Sequence, residues 1–203
     1  MSSETIDSES IGPQLSLEDV DLPAGVSERF RTLYGVDDEL RTAADWMAVT
    51  RRELAAAHGR TPTVEDLCTS EDGAHTFVGE GSQSYVCVLD PLAYPFIVDE
   101  PGTVRSETPV RGAEVTFEVG RESVAVTPET AVVSVGISDH VDAAGDATLE
   151  TVYRQVCGYI HAFEDEAEYE AWAADAEAAT TPLPAEEGVA VAREIARTLF
   201  EAE

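Results

Sequence analysis

Cys87 and Asp90, in the stretch Cys87-Val88-Leu89-Asp90, stand three positions apart, the spacing that sets two side chains side by side on a helix surface. Pro91 follows and suits a first helical turn, where its missing N–H is no loss. The spacing therefore predicts a helix opening at this point, with Cys87 beside the free N–H groups and positive dipole end that favour a thiolate. A second thiol, Cys157, lies in Val156-Cys157-Gly158-Tyr159-Ile160-His161-Ala162-Phe163. Two sulfurs and a carboxylate are a donor set for a soft metal ion, and the carboxylate can also move a proton beside it. Taken alone the set is a candidate only, because an unpaired cysteine more often serves as a small buried hydrophobe.

The other chemistry-bearing residues carry less. Cys68 lies in a polar stretch and reads as a loop residue and bystander, with relay of a bound metal ion as the alternative role for a flexible surface thiol. On a strand, His161 would face the same side as Cys157, with packing or hydrogen bonding as its expected role. His58, His75 and His140 have no ligand-like spacing to a cysteine, so a zinc site is not expected. Tyr94, Tyr159 and Phe163 are candidates for an apolar pocket wall or for the core.

The elements that must position these groups divide into three stretches. Residues 1–25 form an acidic leader expected to be loose, anchored by Ile11, Leu15 and Leu17. Residues 26–72 read as helical: a short helix from Val26 to Leu33, a longer one from Asp37 to His58 stopped by Gly59, and a capped turn with Thr63 and Asp66 as partners. Trp46 and Met47 read as core. Residues 73–203 read as an α+β catalytic domain with a central, mixed or antiparallel sheet and flanking helices. Its strands are expected at 75–78, 84–86, 103–106, 114–119, 123–127, 131–137 and 157–163. Helices are expected after Cys87, at 148–155, at 164–178 and at 185–203.

Composition narrows the function classes. Acidic residues number 41 against 12 basic ones, a formal charge of -29, and every basic residue is Arg. Nucleic acid is excluded as a partner, since phosphate binding needs clustered positive charge. A surface this acidic repels itself in dilute buffer and is screened in concentrated salt, a composition that resembles proteins of extreme halophiles. No stretch is apolar over the roughly 20 residues needed to span a bilayer. The polar, acidic start from Met1 to Ser10 lacks the pattern of a signal peptide, so a cytoplasmic location is expected and membrane association is not.

Beyond these readings, Cys87-Val88-Leu89-Asp90-Pro91-Leu92-Ala93-Tyr94-Pro95 resembles the active-site segment of the organomercurial (alkylmercury) lyases, where Cys-Ala-Leu-Asp precedes an apolar helix ending near Phe-Pro. The likeness continues through Val104 to Val119 with Gly112. It takes in the Cys157 segment, which is similar to the family's Cys-Cys-His-Val-His-Phe-Phe, and extends to Trp172 and the last helix. It covers roughly residues 75 to 200. Val86 replaces a common aromatic, Thr108 a cysteine regarded as structural, and Gly158 the cysteine after the second essential thiol. The N-terminal 70 residues show no convincing match to the family's winged-helix-like region.

The resemblance implies protonolysis of a carbon–mercury bond, giving a hydrocarbon and Hg(II). Cys87 and Cys157 would be the essential thiols and Asp90 the proton-handling carboxylate, the three together holding the Hg(II) product. It implies no organic cofactor, an organomercurial small molecule as substrate, and soluble thiols or mercuric reductase as acceptor of the metal. Two other readings fit the same residues: a non-catalytic thiol protein carrying mercury or copper, and a redox sensor pairing Cys87 with Cys157.

Overall fold

The computed structural model describes residues 16–120, 123–141 and 148–200. Ile11 and Leu15, expected to anchor the leader, lie outside them. From Ser16 onward the leader is packed, not loose. Leu17, Val20 and Leu22 are buried, a single 3-10 turn spans Leu17–Asp19, and Asp21 bridges to Thr42.

Helix α1 spans Ala24–Tyr34 and ends on Gly35 in the left-handed region. Helix α2 spans Ala43–His58, starting later than the expected Asp37. Thr42 sets that start: its hydroxyl accepts from the Asp45 N–H while the Asp45 carboxylate accepts from the Thr42 N–H, which satisfies two donors that a helix end otherwise leaves open. Trp46 of α2 stacks on Phe30 of α1 with ring centroids 4.6 Å apart, so its core reading holds. The Thr63–Asp66 capping box also forms as read, on the 3-10 turn Val64–Asp66.

The strands make two antiparallel sheets instead of the one central sheet expected, and the α+β class stands. In the first, β1 (His75–Val78), β2 (Ser82–Tyr85), β3 (Gly102–Glu107), β4 (Glu114–Val119) and β5 (Val124–Thr127) lie in the order β2-β1-β3-β4-β5. Val104 and Ser106 on β3, and Val115, Phe117 and Val119 on β4, point to the core in strict alternation, the two-residue period of a half-buried strand. Helix α3 (Leu89–Val98) joins β2 to β3. Pro91 sits in its first turn, and Pro95 lies inside the helix, which stops at Asp99 in the left-handed region.

In the second sheet β6 (Val132–Ser138) runs between β7 (Ala162–Phe163) and β8 (Ala178–Pro184). Here two expectations fail. The span 157–163 is not one strand: Cys157–Tyr159 is a 3-10 turn, and only Ala162–Phe163 is paired as a strand. Likewise the helix expected to 178 is α5 (Glu166–Ala173), followed by β8, whose prolines disguised it. Pro182 and Pro184 are tolerated there because β8 is an edge strand. Helix α4 (Leu149–Gln155) is capped by Thr148. Helix α6 (Ala185–Ile195) buries Val189, Ala192 and Ile195 and continues as the wider turn Ala196–Phe200. It packs on α3, β5 and β6, and so joins the two sheets.

Gly136 of β6 bears directly on the second thiol. A Cβ there would come within 2.8 Å of the Tyr159 carbonyl oxygen, in the turn that carries Cys157. Gly136→Ala is expected to push that turn outward and cost about 1–3 kcal/mol, the usual penalty of overpacking, as checked by urea denaturation.

Candidate active site

Backbone hydrogen bonds bring three cysteine-bearing segments together. The Val86 N–H donates to the Cys68 carbonyl at 3.0 Å, and the Val88 N–H donates to the Ile160 carbonyl at 3.1 Å. The Cys68 N–H in turn donates to the Asp90 carboxylate at 2.7 Å. Cys87 thus stands between the segment before β1 and the turn after α4. That turn is pinned from behind by buried Ser134 of β6, whose hydroxyl donates to the Tyr159 carbonyl and accepts from the His161 N–H, both at 2.9 Å.

Cys87, Asp90 and Cys157, the three residues singled out from the sequence, line one cavity of about 80 Å³. The Cys87 and Cys157 thiols are close enough to perturb each other, and so are those of Cys157 and Cys68. Among the described residues, the ligand atoms of Cys68, Asp90 and Cys157 all lie within 4.8 Å of one another. Cys87 stands outside that tight set, against Cys157. Cys68, expected as a loop residue apart from the site, is buried to 5% exposure within it. Its polar neighbours Thr69 to Asp72 concealed this, and the thiol itself was the available signal.

The remaining wall is mostly apolar. Trp46 and Met47 from α2, Val152 and Tyr153 from α4, Ile160, and Leu199 from the last turn all face the cavity. Tyr153 also donates its hydroxyl to the Asp66 carbonyl, tying α4 to the 3-10 turn before Cys68. Sequence reading left these residues as core or did not single them out, because their convergence is tertiary.

Because Cys157–Tyr159 is a turn, Ile160 faces the cavity and His161 does not. The His161 Nε2 lies 2.8 Å from the Gly158 carbonyl, and its ring meets Trp172 edge-on. Its Nδ1 approaches the ring of buried His75 at 3.4 Å. Burial drives His75 down to about 3, so the ring stays neutral. The departures at Gly158 and Thr108 leave the cavity intact. A Cβ on Gly158 would meet open space, and Thr108 is buried with its hydroxyl accepting from the Ala113 N–H at 3.0 Å.

Electrostatically the cavity resists charge. Burial raises the Cys87 thiol above its ordinary value, outweighing the opposing pull of Cys157 and of the Leu89 and Asp90 N–H groups at the start of α3. The thiolate-favouring helix end expected from the sequence is present but loses to desolvation. Cys157 is raised further, through its contacts with Cys68 and Cys87 together with burial. Desolvation pushes Asp90 up to about 6, the Cys68 N–H opposing it. At neutral pH the site therefore holds two thiols and a carboxylate poised close to its own titration, able to take a proton and return it.

A family model described as alkylmercury lyase (MerB) matches residues 68–197, a span containing all three cysteines and Asp90. Among solved structures, the mercury-bound form of MerB2 is similar at a TM-score of 0.47 and 11% identity, over 87% of this chain and 100% of that one. No curated protein matches the sequence.

The raised Asp90 pKa has a stability consequence. Its protonated form is the one the fold favours, so its contribution is full below pH 4 and is lost as pH rises through about 6. Asp90→Asn keeps an oxygen for the Cys68 N–H and removes the buried charge. Thermal unfolding should show this variant more stable than wild type at pH 7.5, by roughly 2–3 kcal/mol, with the gain gone near pH 4.

Proposed function

The chain belongs to the alkylmercury lyase family and cleaves carbon–mercury bonds; from that premise we propose that Cys87, Cys157 and Asp90 perform the cleavage in this cavity. The observation that carries the assignment is the pair of buried thiols lining one cavity, with the Asp90 carboxylate close to Cys157.

Mercury is soft and selects sulfur over oxygen. A substrate R–Hg–SR′ exchanges onto Cys87: the Cys87 sulfur bonds to mercury, R′SH leaves, and the Cys87 proton goes with it. Asp90, ionised at neutral pH, then takes the proton from the Cys157 thiol. The resulting thiolate adds to mercury, which raises electron density on the bound carbon. The carbon–mercury bond breaks with its electron pair on carbon, Asp90 delivers the proton there, and RH departs. Hg(II) stays on two sulfurs, and no electron is gained or lost overall. The apolar wall from Trp46 to Leu199 takes the organic group, and its volume is about half that of an engineered cavity that holds benzene. Soluble thiols or a mercuric reductase would then remove Hg(II). No helix among the described residues is long and apolar enough to cross a membrane, which fits the proposed cytoplasmic setting.

The composition supports a salt-rich setting for this reaction. With a formal charge of -29, raising salt from about 0.1 M to about 1 M shortens the screening length from roughly 10 Å to 3 Å. The melting temperature is expected to rise across that range, and a fall would remove the halophilic reading.

The catalytic assignment is tested by incubating the protein in molar salt with methylmercury and excess thiol, then measuring methane and Hg(II). Wild type should release both. Asp90→Asn should bind mercury yet lose roughly 10²- to 10⁴-fold in turnover, and Cys157→Ser should still take up the organomercurial on Cys87 but release no methane. Mercury bound without methane by the wild-type protein would instead indicate a carrier.

A further inference from the structure

Cys68 has no part in the cleavage above, yet it is placed as carefully as the two thiols that do. It is buried, its sulfur lies within 4.8 Å of the Cys157 sulfur, and its backbone N–H holds the Asp90 carboxylate. Cys157 thus has a sulfur partner on each of two segments: Cys87 at the start of α3, and Cys68 at the end of the turn that leads into β1. The compact donor set, with ligand atoms within 4.8 Å of one another, is the one containing Cys68. That set offers a soft ion two thiolates and a carboxylate oxygen at short range.

We infer that Cys68 is the product-holding thiol: after cleavage, Hg(II) passes from the Cys87–Cys157 pair to Cys68 and Cys157, with Asp90 alongside. The transfer is a ligand exchange. The Cys68 thiol gives its proton to Asp90, and the Cys68 sulfur bonds to Hg(II). The mercury bond to Cys87 breaks, and Asp90 returns the proton to the Cys87 sulfur. Charge and protons balance, and neither sulfur nor mercury changes oxidation state. The exchange frees Cys87 for the next substrate while the toxic ion remains held. Its purpose rests on the lyase reading, but its test does not, because inorganic Hg(II) alone is the probe.

Mercury-edge X-ray absorption on full-length Cys87→Ser loaded with one equivalent of mercuric acetate should show two sulfur ligands. The further change Cys68→Ser should reduce these to one. A single sulfur in Cys87→Ser overturns the assignment. A second measurement needs no variant: alkylation of wild type, mapped by mass spectrometry with and without one equivalent of Hg(II). Cys68 should lose its alkylation when mercury is bound, and unchanged labelling of Cys68 would refute a ligand role. Absence of methane from wild type in the turnover assay would count against the lyase mechanism and leave these two results standing.

Discussion

Three hydrogen bonds donated by backbone amides set the geometry on which the site depends: Val86 to the Cys68 carbonyl, Val88 to the Ile160 carbonyl, and Cys68 to the Asp90 carboxylate. They join segments remote in sequence, none of which is long enough to hold its thiol alone. The donors are amides and the acceptors are carbonyls or a carboxylate, so the arrangement exists before any metal arrives. A site built this way does not spend binding energy on assembling its ligands. The sheets, α3 and α6 serve largely to keep those three bonds in register. Ser134 repeats the device on the far side of the Cys157 turn.

The same burial that fixes the groups works against their charged forms. Cys87 at the entrance of α3 shows the competition plainly, since two helix N–H groups and a neighbouring thiol do not bring its pKa down against desolvation. For a hard ion this would be a poor site. For mercury it is suitable, because the metal–sulfur bond itself displaces the proton, and a pocket that disfavours free thiolates protects them from other electrophiles. Acidic charge is plentiful in the chain, while the cavity wall is mostly Trp, Met, Val, Ile and Leu, with Asp90 and Asp66 its only carboxylates among the described residues.

What the sequence disclosed was local. The Thr63–Asp66 capping box depends on four consecutive residues and formed as expected, as did the helix opening near Pro91. The alternation of Cys157, Tyr159, His161 and Phe163 fits a strand equally well, and partners on other elements, Ser134 and Val88, hold its first part as a turn. Cys68 was hidden for a similar reason: its neighbours are polar, and its place is decided by Asp90, twenty-two positions away. The division into two sheets depended on β8, whose two prolines argue against a strand unless its edge position is known.

Those prolines have a bearing on self-association. Pro182 and Pro184 are two apart, so along β8 their nitrogens face the same side, and neither can donate to a neighbouring strand. An edge strand ordinarily offers a row of free N–H groups to any second chain that drifts alongside. On β8 that row is interrupted twice within seven residues. The smaller sheet, whose β6 braces the Cys157 turn, is thereby poorly suited to template strand addition, and molecules crowded together lose one route to irreversible aggregation.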